Sequence, residues 1–430
     1  MNFLSPAAAI LVDYYRQPQA NLRLLLGRFL RDYAGSDKNA LTRTVYGVVR
    51  KEIALEHVIG LFLKNKGQPP PLPTQVLLRI AVFLLLYSDS YPEYAVVNEA
   101  VTAAAKRDKP FVNAVLRQLL RRKQEVRERI ERGDDLGLKF AISPLLLAGL
   151  RRLAAAGAAD LEYLDREPAF HLRFHPGRMT MEGAQRALEA AGIPCRELPA
   201  LGCFETTAAG QVLDKPEQLG GFYVQNTGSQ AVALAAAARA EREVCDVAAA
   251  PGGKSLTLAC LRPDLKIWAS DVSPQRLRLL EQNIRRLRLD GIQSFTADIL
   301  RYPPGREAAD LVILDAPCTA SGTLRKNPDL KNKITAETVQ ANAAQQKLML
   351  ASLAVRFPNA RILYAVCSFL REESEEVVEK TALARGLKPE PLAPLLEKYG
   401  FRIHQGRFGV YLLPSDLNND LFYISLLEPK

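Results

Sequence analysis

Long apolar runs, histidine and paired-cysteine spacings are all scarce in this sequence. The longest apolar stretch, Leu77–Tyr87, is interrupted by Arg79 and falls short of the roughly 20 residues needed to cross a bilayer. Met1 to Pro6 lacks the basic start and apolar core of a secretion signal, so a cytoplasmic protein is expected, with no membrane partner. Six cysteines (Cys195, Cys203, Cys245, Cys260, Cys318 and Cys367) show no CxxC pair, and the four histidines (His57, His171, His175 and His404) are scattered. A zinc site is therefore not expected, and no other metal is assigned. In a reducing compartment these cysteines are free thiols, for which the ordinary place is a buried apolar core.

Acidic residues are also in deficit. There are 57 basic against 47 acidic residues, a net charge of +10. Residues 1–135 hold 21 basic and 14 acidic residues, so seven of the excess positive charges lie in the first third. Such a surplus attracts phosphate-rich partners, but a merely basic soluble surface has the same count. Charge alone decides nothing here.

What is present is a globular composition, 48% hydrophobic and 24% charged, on a 430-residue chain too long for one ordinary core. Residues 1–135 read as a helical bundle. Apolar side chains recur at helical spacing in Ala8, Ile10, Leu11, Tyr14 and Tyr15, in Leu22, Leu25, Leu26, Phe29 and Leu30, and in Val45, Val48, Val49, Ile53 and Leu55. Gly67 to Pro73 breaks the bundle, and a buried helix follows from Val76 to Tyr87. Residues 136–215 read as a linker and a small α+β region, with a helix at Leu145–Ala155, a strand at Phe170–Phe174 and a helix at Met181–Ala191.

From 216 to 430 strands alternate with helices: Arg242–Val247, Lys266–Asp271, Ser294–Asp298, Leu311–Asp315 and Arg361–Ser368. This pattern predicts a doubly wound, Rossmann-like α/β sheet with its ligands at the carboxyl ends of the strands. Two further strand-like runs, Val410–Leu413 and Leu421–Leu427, predict a hairpin edge better suited to a methyltransferase than to a dinucleotide dehydrogenase.

The first strand of that sheet runs into Ala248-Ala249-Ala250-Pro251-Gly252-Gly253-Lys254-Ser255 and a helix. Its glycines admit a ligand to the backbone, beside the free N–H groups of the helix start. A phosphate-binding loop of an NTPase is one reading, since Gly253-Lys254-Ser255 supplies its end. Position 248, where that loop needs glycine, is Ala248, and Pro251 stiffens the arc. The second strand ends at Asp271, placed to accept from both ribose hydroxyls of a nucleoside, and the third ends at Asp298, where adenine would lie. Carboxylates in series favour an adenosyl cofactor, although a strand-end aspartate alone often only caps the next helix.

The fourth strand ends Asp315-Ala316-Pro317-Cys318, and the fifth contains Val366-Cys367-Ser368. Two thiols over one crevice suit methylation at C5 of a pyrimidine, a carbon too weakly nucleophilic to attack a sulfonium methyl unaided. A thiolate adding at C6 makes C5 enamine-like, a second group then removes the C5 proton, and an acid near N3 stabilises the charge.

These motifs resemble the bacterial RNA cytosine-5 methyltransferases of the NOL1/NOP2/Sun group, and most of all the Sun (RsmB) type acting on 16S ribosomal RNA. AAAPGGKS is similar to the family's cofactor loop, DAPCTASGTLRKNPD to its fourth motif and YAVCSF to its sixth. Leu78–Tyr87, Ala95–Val101 and Lys109–Arg117 resemble the NusB fold, which that type carries as a helical RNA-binding domain. The resemblance implies a class I methyltransferase domain using S-adenosylmethionine and acting as a monomer. Its implied partner is 16S ribosomal RNA in a small-subunit context, and the implied target is cytosine 967 in the RNA's own numbering. It implies Cys367 as nucleophile, Cys318 as the group assisting release, and Asp315 as a contact to cytosine. Ala248, Ala249, Ala250, Pro251, Gly252, Gly253, Lys254, Asp271, Asp298 and Asp315 would line the cofactor pocket. A noncatalytic RNA-binding or ribosome-assembly protein is the other alternative, against which both cysteines, Lys254 and Asp315 argue.

Several positions depart from the family pattern. Ala248 stands for the usual cysteine, Val366 for threonine and Asn226 for aspartate, and the fourth motif reads Cys318-Thr319-Ala320-Ser321-Gly322. The tryptophan-bearing segment usual after Ile142-Ser143-Pro144 is missing. None of these removes a thiol or carboxylate with an assigned role.

Overall fold

A computed structural model describes residues 3–17, 19–63, 67–153, 161–166, 168–208, 219–301 and 308–429. The chain forms two compact units: Met1–Ala148 with Asn327–Lys333, and Gly149–Lys326 with Ile334–Lys430.

The first unit is helical: α1 (Leu4–Arg16), α2 (Leu22–Asp32), α3 (Lys38–Arg50), α4 (Glu52–Gly60), α5 (Leu72–Tyr87), α6 (Glu93–Ala103), α7 (Lys109–Arg121), α8 (Lys123–Arg132) and α9 (Leu136–Lys139). Pro73 sits in the first turn of α5, where its missing N–H costs nothing. From Val76 to Leu86 every α5 residue except Phe83 is buried, so α5 is the hub on which the amphipathic α3 and α7 pack. The segment Asn327–Lys333 completes this unit. The buried Lys331 ammonium donates to the carbonyls of Phe140 (2.8 Å) and Arg50 (3.3 Å), at the ends of α9 and α3, where a cation is favoured.

The helix α10 (Pro144–Leu153) runs across the change of unit. Ala155, the sequence-based end of this helix, lies outside the described residues. The second unit contains two sheets. The smaller is antiparallel, in the order β2-β3-β1-β4, from β1 (Phe170–Phe174), β2 (Arg196–Leu198), β3 (Cys203–Thr206) and β4 (Phe222–Val224). It is backed by α11 (Met181–Ala190), with Leu172, Phe174, Leu188, Phe204 and Phe222 in its core.

The larger sheet has a parallel centre of β5 (Glu243–Asp246), β6 (Lys266–Asp271), β7 (Ile292–Thr296), β8 (Leu311–Asp315) and β9 (Arg361–Val366). Antiparallel strands extend it: β11 (Arg402–Gln405), β12 (Val410–Leu413) and β13 (Phe422–Glu428), with β10 (Lys388–Glu390) paired to β13. The order is β11-β12-β13-β9-β8-β5-β6-β7. The expected hairpin edge is thus β12–β13, widened by β11. Crossover helices are α12 (Thr227–Arg239), α13 (Gly253–Leu261), α14 (Pro274–Leu287) and α15 (Ala336–Arg356). Strand β7 ends at Thr296, so Asp298 lies past the strand. Ala297 N–H turns back to the Asp271 carbonyl (3.1 Å) instead of extending the ladder.

The topology brings the carboxyl ends of β5, β6, β8 and β9 to one edge of the larger sheet, which is where its ligand crevice lies.

Candidate active site

Strand β5 leads through Ala248–Pro251 into α13, whose first residue, Gly253, follows Gly252 at φ +108°. A side chain at Gly252 would be strained by that φ and would collide with Leu280. The loop borders a cavity of about 530 Å³ lined in part by Gln225, Asn226, Ala249, Ala250, Pro251, Gly253, Lys254, Asn283, Arg286 and Asp315. Ala248, Gly252, Asp271 and Asp298 are not among its lining residues.

Inside this cavity Lys254 Nζ donates to Asp315 Oδ2 at 2.5 Å. Burial alone would pull the Lys254 pKa down. The negative Asp315, aided by its hydrogen bond and by Asp246 and Cys367, instead holds it above its ordinary value. Lys254 is therefore a fixed cation at neutral pH. Asp246, fully buried at the end of β5, is pushed up to about 6 by burial despite the hydrogen bond from Ser255 Oγ (2.6 Å). Its other oxygen, Oδ1, has no partner among the described residues and is a spare acceptor beside the loop.

Asp271 sits at the end of β6, 2% exposed. It accepts from Ala250 N–H (3.2 Å) and Ser273 N–H (2.9 Å). The Arg276 guanidinium lies 3.3 Å from Asp271 Oδ2 and also donates to the Ala250 carbonyl. Arg276 thus covers the carboxylate assigned to ribose, and sequence reading missed it. The signal was an arginine in the first turn of the helix after Asp271. Asp298 is exposed and accepts from Leu300 N–H at 2.9 Å.

A zwitterionic adenosyl donor fits this donor set: a concave cavity, backbone N–H groups at a glycine turn, a fixed cation, and carboxylates at adjacent strand ends.

Strands β8 and β9 are adjacent and parallel, with Asp315 opposite Ala365. Past their ends, Cys318 Sγ and Cys367 Sγ are 3.4 Å apart. The Cys318 thiol is raised well above its ordinary pKa, first by its hydrogen bond to Cys367 and then by burial. The two loops are laced together. Gly322 N–H donates to the Cys367 carbonyl (2.9 Å), and Ser321 Oγ meets Ser368 Oγ at 2.9 Å. A side chain at Gly322 would drive into the Leu421 carbonyl, so this close approach requires glycine.

Beneath both loops lies Glu373, fully buried. Its carboxylate accepts from Thr319 N–H (2.7 Å), Thr319 Oγ1 (2.5 Å) and Ser368 Oγ (2.6 Å), residues adjacent to Cys318 and to Cys367 respectively. Gln346 Nε2 adds a longer contact at 3.4 Å. Burial raises the Glu373 pKa, and these donors oppose the rise. A buried carboxylate costs several kcal/mol unless so satisfied. Nothing in the sequence distinguished Glu373 from the half-buried glutamates Glu372, Glu375 and Glu376 around it.

Asn226 shows what its departure from aspartate does. Its Oδ1 accepts from Gly228 N–H (2.9 Å), capping α12, and from Asp420 N–H (3.0 Å), as a carboxylate would. Its Nδ2 is buried with no partner among the described residues.

With this geometry in hand, comparison with known proteins is direct. Residues 232–428 match the family described as 16S rRNA methyltransferase RsmB/F, and residues 7–121 match the NusB family. Residues 232–428 are a methyltransferase domain of the RsmB/F family. The chain is an S-adenosylmethionine-dependent ribosomal RNA methyltransferase of the RsmB/Sun type with a NusB domain.

The ribosomal RNA small subunit methyltransferase B of Erwinia tasmaniensis is 28% identical over 358 residues, covering 79% of this chain and 80% of that protein. That of Salmonella heidelberg is 27% identical over 399 residues, covering 89% and 90%. Among solved structures, PH0851 superposes with a TM-score of 0.69 at 23% identity, covering 95% of this chain and 93% of that one. NSun6 from Pyrococcus horikoshii gives 0.53 at 20% identity, over 66% and 98%. These two likenesses bear on the fold alone.

Proposed function

We propose that this RsmB/Sun-type enzyme methylates C5 of a cytosine in 16S ribosomal RNA, cytosine 967 in that RNA's numbering, through a covalent Cys367 adduct. The observation that carries the reading is the 3.4 Å separation of the Cys318 and Cys367 sulfurs beside the Lys254–Asp315 pair. The 16S context is drawn from the family description and from relatives named ribosomal RNA small subunit methyltransferase B.

Cys318, raised well above its ordinary pKa, keeps its proton, and the fixed Lys254 ammonium offsets the negative charge that Cys367 carries as the attacking thiolate. Cys367 Sγ adds to C6 of the base, forming the C6–S bond and shifting electron density to C5, O2 and N3. Asp315, held by Lys254, lines the cofactor cavity and, as an acceptor, orients the base through its exocyclic amino group, while the Lys254 ammonium offsets the charge built up during addition. S-adenosylmethionine, when bound, supplies the electrophilic methyl group that C5 accepts.

Once the Cys367 sulfur is bonded to carbon, it no longer raises the Cys318 pKa, which is the largest cause of that elevation. Cys318 then loses its proton to solvent water and, as the thiolate, takes the proton on C5. The C5–C6 double bond re-forms, the C6–S bond breaks, and Cys367 leaves as a thiolate. Glu373 takes no part in bond making and positions both loops.

The test is incubation of the purified protein with 16S ribosomal RNA and labelled S-adenosylmethionine, followed by nucleoside analysis. Label in 5-methylcytidine is expected. Label in any other nucleoside contradicts the proposal.

A further inference from the structure

Away from the two thiols, the second unit holds a cavity of about 370 Å³ lined by His175, Arg178, Gly220, Arg286 and Arg288, with Met179, Gly221 and Leu287 between them. We infer that this cavity receives the sugar–phosphate backbone of the RNA substrate, at a contact separate from the one that holds the target base.

Three guanidinium-bearing side chains and an imidazole converge on one concave surface, and no carboxylate lines it among the described residues. They arrive from different places in the chain. His175 and Arg178 follow β1, whereas Arg286 and Arg288 lie at the end of α14. Arg286 is tied down by its own hydrogen bonds, donating to the carbonyls of Gly220 and Phe222 (2.6 Å to the latter) and to Asn283 Oδ1 (2.7 Å). Arg178 donates to the Leu287 carbonyl at 3.5 Å. Among the described residues no acidic side chain pairs with Arg178, Arg286 or Arg288.

Like charges gathered in a hollow repel, and burial makes the repulsion worse. The groups themselves register the cost. Burial lowers the Arg286 pKa with no carboxylate to offset it, and burial followed by the nearby Arg178 lowers that of His175. A helix C-terminus favours basic residues, which accounts for Arg286 on α14. It does not account for Arg178 and His175 being brought to the same place from another element.

An anion in the cavity removes the repulsion, and guanidinium groups match phosphate oxygens in shape as well as charge. The source of the anion follows from position. Arg286 and Gly220 line both this cavity and the cofactor cavity, so the basic cavity adjoins the site of the methyl donor that the RNA strand must approach. The inference rests on the reading of RNA as the substrate, and it assigns which side chains grip the strand without reading its sequence.

Arg178 and Arg288 line only the basic cavity, so they carry the test. Filter binding of full-length protein to in vitro transcribed 16S ribosomal RNA is measured between about 50 and 200 mM KCl, the range over which phosphate contacts dominate. The double substitution Arg178→Ala with Arg288→Ala is expected to weaken binding about 10- to 100-fold at the lowest salt. It should also make the log–log salt dependence shallower by about 1 to 2. Arg178→Lys with Arg288→Lys keeps both charges and should retain most of the slope. S-adenosylmethionine affinity and melting temperature should stay at the wild-type values.

An alanine pair with wild-type affinity and slope overturns the inference, as does a lysine pair that falls as far as the alanine pair. Methylation by the wild type keeps the two readings apart. If it binds RNA through this cavity but places the methyl elsewhere than cytosine C5, only the proposed reaction fails. If it methylates cytosine and the alanine pair binds RNA unchanged, only the cavity assignment fails.

Discussion

Cys318 Sγ lies 3.4 Å from Cys367 Sγ, past the carboxyl ends of the adjacent parallel strands β8 and β9. In the proposed reaction that spacing lets one sulfur bond at C6 of the pyrimidine while the other meets the proton on C5. The hydrogen bond between the two sulfurs is the largest cause of the raised Cys318 pKa.

Cys367→Ala should lower kcat by at least about 1,000-fold, since the base then has no nucleophile to activate it. Binding of S-adenosylmethionine, read by calorimetry, should change less than threefold. Methylation by this variant at the wild-type rate contradicts the assignment of Cys367.

Glu373 is expected to act on rate through the loops it holds. Glu373→Ala leaves Thr319 and Ser368 donors buried without their acceptor, at about 1–3 kcal/mol each, and frees the two loops. It should lower the melting temperature and reduce kcat about 10- to 100-fold, with KM for S-adenosylmethionine within twofold. Glu373→Gln should recover most of the rate, because the Thr319 and Ser368 hydroxyls can reverse and donate or accept. Equal kcat for wild type and Glu373→Ala contradicts the positioning role.

Asp271 and Asp298 should differ as cofactor contacts. Asp271 is buried at the strand end, so Asp271→Ala should raise the dissociation constant for S-adenosylmethionine about 10- to 100-fold. Asp298 is exposed, and solvent screening should keep the effect of Asp298→Ala below about tenfold. Fluorescence or calorimetric titration measures both. The reverse order contradicts the assignment of ribose to Asp271.

Glu52 gives the helical unit a pH dependence. Burial, against the pull of Arg79, raises its pKa to about 7 from a usual 4.5. The native state therefore holds this proton longer than the unfolded chain does. The stability contributed is full below about pH 4.5 and declines as pH rises towards 7, by at most about 3 kcal/mol. Melting curves between pH 4.5 and 8 should show Glu52→Gln flattening that decline. An unchanged pH profile in the variant contradicts a buried, late-titrating Glu52.

The strands were legible because a strand buried on both faces reads as an unbroken apolar run. Lys266–Asp271 and Leu311–Asp315 begin and end where the sequence pattern places them. The two thiols were legible because cysteine at the end of such a strand is chemically conspicuous. Less visible were features that depend on long-range closure. Strand β7 stops early because Ala297 turns to β6, and Phe222–Val224 joins a sheet whose other strands lie before residue 207. Glu373 was invisible for the same reason. Its sequence neighbours are polar, and only the fold carries its carboxylate beneath Thr319, 54 residues away. Arg276 and the basic cavity likewise depend on side chains meeting across elements.

The central claim is most directly tested by trapping the adduct. Cys318→Ala protein, incubated with 16S ribosomal RNA and S-adenosylmethionine and run on a denaturing gel, should give a shifted RNA–protein band. Adding Cys367→Ala to the same protein should abolish that band. A band that survives loss of Cys367, or no band from Cys318→Ala while the wild type methylates the RNA, contradicts the two-thiol account.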